Sequence, residues 1–441
     1  MKEYIRAVVV YFLTLEAKAI LTKYKPRIIV VTGSVGKTST KDAVYAALKN
    51  HTFVRKSEKN FNSDIGVPLT VLGVPNGWGS FVQWARNLSD GLLRMLVFTP
   101  YPRWLVVEVG ADRPGDISRA LRWVKPDIAV ATRFPDVPVH VEFYASPEEV
   151  IAEELFLVKQ LRPGAVAVLN NDDEHARSVP LAEGVRRLTY GFSKDADVRA
   201  GQYRVLPVHG MPNGISFSIS YQGEKIHLSL YGVVGRTHVY AVLAGIAGAL
   251  AAGAPFAHMS EFADSYEPPP ARLRLIPGAG ESVIIDDSYN ASPEAMQEAL
   301  RALEGAPTPG KRIALLADML ELGAYSADAH RKVGEYAAEL GIDMVVTVGV
   351  RARKIAEQAR EKGMHPDAVH SLEHPDEAAS FIRALLKPGD VILVKGSQSM
   401  RMEKVVKALM QKPEDAPHLL ARQDREWLSR APAPAPVKIS P

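Results

Sequence analysis

The chain contains no cysteine. Disulfides, thiolate nucleophiles and thiolate-bound zinc are thereby excluded, which fits a cytoplasmic protein. Net charge is scarce too, since 53 Lys+Arg against 50 Asp+Glu leave a formal +3. That is too little to point to nucleic acid or an anionic membrane as the partner. A long hydrophobic run is also missing. The uncharged stretch Ala7 to Leu15 falls far short of the roughly 20 apolar residues a membrane span needs, and Glu16 and Lys18 follow at once. No transmembrane segment or cleaved leader is expected. Ile5, Val8, Val9, Phe12 and Leu15 share one helical face. Residues 1–25 therefore read as an amphipathic helix, packed on the body in preference to lying on a membrane surface. No unit repeats at a fixed period.

What is present is the length and rhythm of a layered protein. At 441 residues the chain exceeds one ordinary core. The runs "RIIVVTG", "WLVVEVG", "DIAVAT" and "AVAVLN" read as buried strands, separated by helical stretches such as Ser39–Lys49 and Pro147–Leu161. Such alternation implies a mainly parallel, doubly wound sheet. From Val198 to Leu230 the pattern changes to period two, which predicts a small antiparallel part. The proline-rich "YEPPPARLRLIPG" marks a boundary. Beyond it the rhythm restarts with "SVIIDDSYN", "RIALLADM", "MVVTVG" and "DVILVKGS".

The residues that can carry chemistry lie where strands end. "IIVVTGSVGKTSTKDAV", Ile28 to Val44, is a strand, a glycine-bounded loop and a helix. Gly33 and Gly36 let backbone amides approach phosphate oxygens, and the helix N-terminus adds aligned N–H groups. Lys37 can reach the β/γ-phosphates and the Thr38 hydroxyl can coordinate Mg²⁺. Ser34, Val35 and Ser39 complete the cradle. The strict pattern has glycine at position 31, where this chain has Val31. Glu108 ends the strand "LVVEVG", where an unpaired carboxylate is costly. Either Mg²⁺ beside the phosphates or a neighbouring Arg or Lys would satisfy it. His140 lies in a loop feeding a helix that Ser146, Pro147 and Glu149 initiate as a capping box. Alone, such a histidine is more often solvent-exposed than catalytic. Asp286 and Asp287 in "VIIDDSYNASPEAM" suit ribose or metal binding at a sheet edge, or ordinary capping. Lys395, followed by Gly396 and Ser397, reads equally as an anion contact and as a solvated helix-start lysine.

Taken in order, these pieces resemble the Mur ligases, ATP-dependent amide-forming ligases of peptidoglycan precursor synthesis. The motifs are "TGSVGKTST", "NFNSDIGVPLTVL", "EVGADRPGDI", "VHVEF", "DDSYNASPEAM", "LADMLELG" with His330 downstream, and "VKGSQSMRMEKVV". They cover about residues 26–412 and look most like the branch that adds D-Ala-D-Ala to a UDP-MurNAc-tripeptide. The resemblance implies an α/β fold with a P-loop mononucleotide-binding central domain at 26–267, combining a parallel sheet with the antiparallel part. It further implies a Rossmann-like C-terminal α/β domain at 268–412, before a C-terminal helix and disordered Ala/Pro tail at 413–441. ATP would lie with its phosphates on Gly33 to Thr38. Thr38 and Glu108 would hold one Mg²⁺, and His140 would help hold a second. Catalysis would rest on Lys37, Glu108, His140 and Glu154. Arg272 and Asp287 match nucleotide contacts, and Lys395 matches a substrate contact, joined by Asn60, Asn62 and Asn290. The alternatives are a folylpolyglutamate-type or other amino-acid ligase, and an inactive nucleotide-binding scaffold on the same fold.

Three departures accompany the resemblance. Family members have an N-terminal domain that grips the uridine nucleotide, and here the strand before the loop begins too near residue 1 to leave room for one. UDP recognition is expected to be rebuilt elsewhere, with the aromatic and Arg-rich segment 76–104 as one place, supplied by a partner, or not used. Family members also carry a lysine, carbamylated by CO₂, fourteen residues beyond the His140 position, and counting reaches Glu154. Glu154 is expected to supply that anion itself, making ligation independent of bicarbonate. Finally, Thr237, His238 and Ala241 in "GRTHVYAVLA" stand where the family has a His-Asn pair and a further Asn.

Overall fold

The computed structural model describes residues 3–58, 65–78 and 80–429. Asn60, Asn62 and the Ala/Pro tail lie outside the described residues. The Val/Ile-rich runs form strands because both faces of each are covered. Within the first sheet are β1 (Arg27–Thr32), β2 (Val54–Lys56), β3 (Trp104–Glu108), β4 (Ile128–Ala131), β5 (Val166–Asn170) and β6 (Arg186–Gly191). The sheet continues with β7 (Val198–Val208), β8 (Met211–Tyr221) and β9 (Glu224–Tyr231). The order is β2-β3-β1-β4-β5-β6-β7-β8-β9. Pairing is parallel as far as β7 and antiparallel across β7, β8 and β9, as the period-two pattern requires. β1 is central, and its register sets Val31 beside Glu108. Val31 is a fully buried strand residue, so that position needs no glycine.

Two helices press on one face of this sheet, Lys37–Leu48 and Arg236–Ala251. Their approach is close enough that a Cβ on Gly245 would meet the Ala43 Cβ at 2.5 Å. The helix that begins with Lys37 is thus held from behind by a tight helix–helix contact.

The second sheet contains β10 (Arg274–Pro277), β11 (Val283–Asp287), β12 (Arg312–Ala317), β13 (Met344–Val348), β14 (Val369–Leu372) and β15 (Val391–Lys395). Its order is β10-β11-β15-β12-β13-β14, parallel except for the edge strand β10. Apolar clusters cover both of its faces. β10 falls inside the stretch read as a boundary. At a sheet edge, Pro277 removes no donor that a further strand would need.

The first helix, Glu3–Tyr24, corrects one expectation. Its buried positions are Val9, Leu13, Ala17 and Ile20, packed on helices Gly66–Leu72 and Phe81–Leu96. Of the proposed face, Ile5 lies outside the residues whose burial is described; among the others Val9 is buried, and Val8, Phe12 and Leu15 are 55%, 49% and 42% exposed. Apolar residues surround the whole first half of this helix, so periodicity could not choose the inward side. Among the described residues no helix is long and apolar enough to cross a membrane.

Glu16 faces Gly91 on the neighbouring helix, and its Oε2 is buried without a hydrogen-bond partner. Burial pushes its carboxyl up to about 7. A carboxyl whose folded pKa is raised costs the fold nothing while protonated. The cost grows as pH climbs from its unfolded value, near 4.5, through about 7. Glu16→Gln should therefore leave Tm nearly unchanged at pH 5 and raise it at pH 8. Equal Tm differences at the two pH values, read by calorimetry, would remove this account.

Candidate active site

β1 delivers the chain into its loop at the carboxyl edge of the first sheet. Gly33 adopts φ 121°, and a Cβ there would sit 2.2 Å from the Thr132 Oγ1, so the turn against β4 requires glycine. The Ser34 and Val35 amides donate to the Arg133 carbonyl at 2.9 and 3.3 Å, anchoring the loop to the residues after β4. Gly36, at φ 88°, then starts helix Lys37–Leu48.

Five side chains meet over this loop. Lys37 Nζ donates to the Gly33 carbonyl at 2.5 Å and lies 3.6 Å from Glu154 Oε1. Ser34 Oγ donates to Glu154 Oε2 at 2.6 Å. Thr38 Oγ1 lies 3.0 and 3.2 Å from the two Glu108 carboxylate oxygens. Glu108 and Glu154 are both almost fully buried. Burial pushes both carboxyls up, opposed at Glu108 chiefly by the Lys41 and Lys37 ammoniums and at Glu154 chiefly by Lys37. Glu154 is therefore not a solvent-facing helix residue. Helix Pro147–Lys159, started by the Ser146 cap, turns it into the loop, where it pairs with Lys37.

The second sheet closes over this cradle. Ser34 to Thr38, Glu108, Asp112, His140 and Glu154 line one cleft with Arg272, Tyr289, Asn290, Ser292 and Gln398. Two contacts hold its sides together. Arg133 pairs with Glu294 at 2.7 Å and Glu298 at 3.2 Å, both on helix Pro293–Glu304. His140 Nδ1 lies 2.5 Å from Glu321 Oε2, and its Nε2 lies 3.5 Å from Asp112 Oδ1. His140 holds the Glu321 carboxyl below its usual range by that hydrogen bond. With a carboxylate facing each ring nitrogen, His140 joins the two halves of the cleft.

Thr38 and Glu108 do fit a divalent cation. A hydroxyl and a buried carboxylate converge beside the phosphate cradle. Mg²⁺ keeps waters and takes phosphate oxygens in preference to an all-protein cage. Among the described residues no group of three or more His, Asp or Glu is arranged for a metal.

Asp287 and Lys395 stand apart from the cleft. Lys395 is 1% exposed and donates to Asp287 Oδ2 at 2.6 Å and the Asn290 carbonyl at 2.8 Å. Burial pushes its ammonium down, opposed by Asp287. As placed, Lys395 fixes Asn290, which does line the cleft. Asp287 also accepts from the Leu273 amide at 3.3 Å. The pair borders a small crevice behind the loop with Ser39, Thr237, His238 and Arg272. His238 Nε2 donates to the Arg272 carbonyl at 2.7 Å, and burial pushes its imidazole down to about 4. Neutral at physiological pH, it positions Arg272.

Sequence reasoning missed several residues, or what they do. Tyr289 lies between two guanidiniums, those of Arg272 at 4.2 Å and Arg422 at 4.8 Å from its ring centroid. Arg422 also donates to the Ser288 and Tyr289 carbonyls and pairs with Glu403, so a residue from the C-terminal segment braces the cleft wall. Nothing local in "LLARQDREW" signals that role. His330, 0% exposed, accepts from the Met319 amide at 3.0 Å and donates to the Ser326 carbonyl at 2.6 Å. It is a neutral brace, pushed down to about 4 by burial, for the loop that presents Glu321. Asp112 and Glu321 sat inside quoted motifs, but their meeting at His140 needs the tertiary fold.

Comparisons with known proteins agree on one family. The Mur ligase middle domain matches residues 31–82 and 91–249, and the Mur ligase glutamate ligase domain matches 271–398. The UDP-N-acetylmuramoyl-tripeptide--D-alanyl-D-alanine ligase of Bacillus subtilis is 30% identical over 401 residues, covering 90% of this chain and 79% of that protein. The Escherichia coli ligase of the same name is 29% identical, with 87% and 77% covered. Among solved structures, MurF from Thermotoga maritima in complex with ADP superposes at TM-score 0.74 with 25% identity, covering 92% of this chain and 84% of that one. MurF from Acinetobacter baumannii superposes at 0.75 with 23% identity, covering 92% and 81%. With both domain models matched in order, and a 30% identical relative covered over most of its length, the chain belongs to the Mur ligase family.

Proposed function

We propose that the protein is a cytoplasmic ATP-dependent carboxylate–amine ligase of peptidoglycan precursor synthesis, joining D-Ala-D-Ala to a UDP-MurNAc-tripeptide. The observation that carries this reading is a single cleft between two sheets. It sets the phosphate loop with Lys37 and Thr38 against two buried carboxylates and a wall from the other half. A switch or motor needs no second sheet closing over the γ-phosphate position.

In this reading the ATP γ-phosphoryl passes to the terminal carboxylate of the tripeptide, releasing ADP and forming an acyl phosphate. The amine of D-Ala-D-Ala attacks that carbonyl, a proton leaves the nitrogen, and phosphate departs as the amide forms. Phosphate leaves far more readily than carboxylate oxygen, which is why ATP is used. The loop amides and Lys37 stabilise charge on the transferring group. Glu154 holds Lys37 and Ser34 in register. Thr38 and Glu108 would hold Mg²⁺, which when bound neutralises phosphate charge. Arg272, positioned by His238 and stacked on Tyr289, supplies a cation from the opposite wall. The His140–Glu321 and Arg133–Glu294 contacts keep the halves closed, which excludes water from the acyl phosphate.

Purified protein with Mg-ATP, UDP-MurNAc-tripeptide and D-Ala-D-Ala should release one phosphate per pentapeptide formed, followed by mass spectrometry. ATP binding without product would instead support the scaffold reading. Product only with glutamate and a folate would move the chain to the folylpolyglutamate-type ligases.

A further inference from the structure

Beyond His140 and Asp112 the cleft runs on into a groove between the first helix and residues 112–123. Lys18, Arg113, Arg119 and Arg122 line it, with Trp123 and Phe143 among its apolar walls. Lys18 and Trp123 also border the next depression along the surface, where Lys25 and Arg162 add further cations. The carboxylates along this path are already engaged. Asp116 pairs with Arg119 and accepts from the Arg113 amide at 2.8 Å. Asp127 accepts from the Ile28 amide at 2.8 Å, and Asp112 and Glu321 face His140. The Arg113 guanidinium stacks 3.4 Å from the Phe143 ring centroid. Among the described residues no ion pair engages Lys18 or Arg122, which line the groove from different elements.

We propose that this groove holds the diphosphate of the sugar-nucleotide acyl substrate, an inference that rests on the ligase reading above. The phosphate loop is committed to ATP, so the substrate's own phosphates need a second cationic site. A three-residue peptide spans at most about 10 Å when extended. A substrate whose terminal carboxylate reacts in the cleft therefore carries its sugar and diphosphate out past His140, into the groove. Arginine suits the task because its planar fork meets phosphate oxygens in pairs, and Trp123 offers a surface for the sugar or base. Segment 76–104, one place considered for this role, lines neither depression. Its exposed residues include Phe81, Val82, Leu92 and Leu96, which suit no phosphate.

The test is titration calorimetry with UDP, uridine, inorganic pyrophosphate and UDP-MurNAc-tripeptide, at saturating Mg-ADP so that the phosphate loop is filled. Wild type is compared with Lys18→Ala/Arg122→Ala and with Arg122→Glu, each checked for an unchanged Tm. UDP and pyrophosphate should bind the wild type, more weakly as salt rises, and about tenfold more weakly for each cation removed. In turnover, KM for the acyl substrate should rise by the same factor, while KM for ATP and for D-Ala-D-Ala stays put. Undiminished UDP affinity in the double variant, or uridine binding as tightly as UDP, overturns the proposal. The two readings fail separately. Product from wild type with an unchanged acyl-substrate KM in the variants removes the groove alone. No product, with UDP binding lost in the variants, keeps the diphosphate site and removes the ligase reading.

Discussion

Lys37→Met should abolish ligation almost completely, with kcat falling by about a thousandfold, the loss typical of removing a group that stabilises transition-state charge. ATP affinity should fall far less, because the loop amides and the N-terminus of helix Lys37–Leu48 still bind phosphate. The geometry supports this division. Lys37 Nζ is held by the Gly33 carbonyl and by Glu154, over the loop where a transferring phosphoryl group would sit. A kcat within tenfold of wild type would remove Lys37 from the chemistry.

The same substitution carries a pH signature. Glu154 is buried and its carboxyl is already pushed up, with Lys37 the main opposing charge. Without Lys37 the carboxyl is pushed further up, so the fold favours its protonated form more strongly. Relative to wild type, stability should then fall as pH rises from the unfolded carboxyl range through the raised folded value, and the gap should persist above it. Lys37→Met/Glu154→Gln should recover stability at pH 8 without recovering activity. Recovery of both would mean that the pair is structural.

How much of this was legible in the sequence follows from what is local. The phosphate loop, the Glu108 strand end and the Ser146 cap are each written within a few residues, and period-two alternation marked β7 to β9. The inward face of the first helix was not legible, because Val8, Val9, Phe12 and Leu13 leave no polar side to exclude. Nor was β10, whose four residues end in proline. Within the site, Glu154 could be placed by counting from His140, but its pairing with Lys37 and Ser34 depends on helix Pro147–Lys159 packing against β1. Lys395 was legible as a strand-end lysine, but not its burial or its pairing with Asp287, which lies directly beside it in register on the neighbouring strand. His140, Asp112 and Glu321 come from three separated segments, and no spacing rule brings them together.

Glu154 gives the second large effect. Wild-type ligation should proceed at the same rate in CO₂-free buffer as with added bicarbonate, because the carboxylate that meets Lys37 and Ser34 is built into the side chain. Glu154→Gln keeps the shape but removes the charge. Without that charge Lys37 is no longer held over the loop, so activity should fall by about 10²–10³, with no response to bicarbonate. Glu154→Lys restores the residue type the family usually carries. In CO₂-free buffer it should be at least as inactive as Glu154→Gln, since the new ammonium lies against Lys37 with no anion between them. With bicarbonate, carbamylation converts that ammonium into an anion, and activity should rise at least tenfold, because the longer side chain must still reach past Ser34. Two results would defeat this argument: wild-type activity that vanishes on CO₂ removal and returns with bicarbonate, or a Glu154→Gln variant that ligates at the wild-type rate. The first would place a carbamylated group elsewhere in the cleft. The second would leave Glu154 as a buried brace for Lys37 with no part in the chemistry.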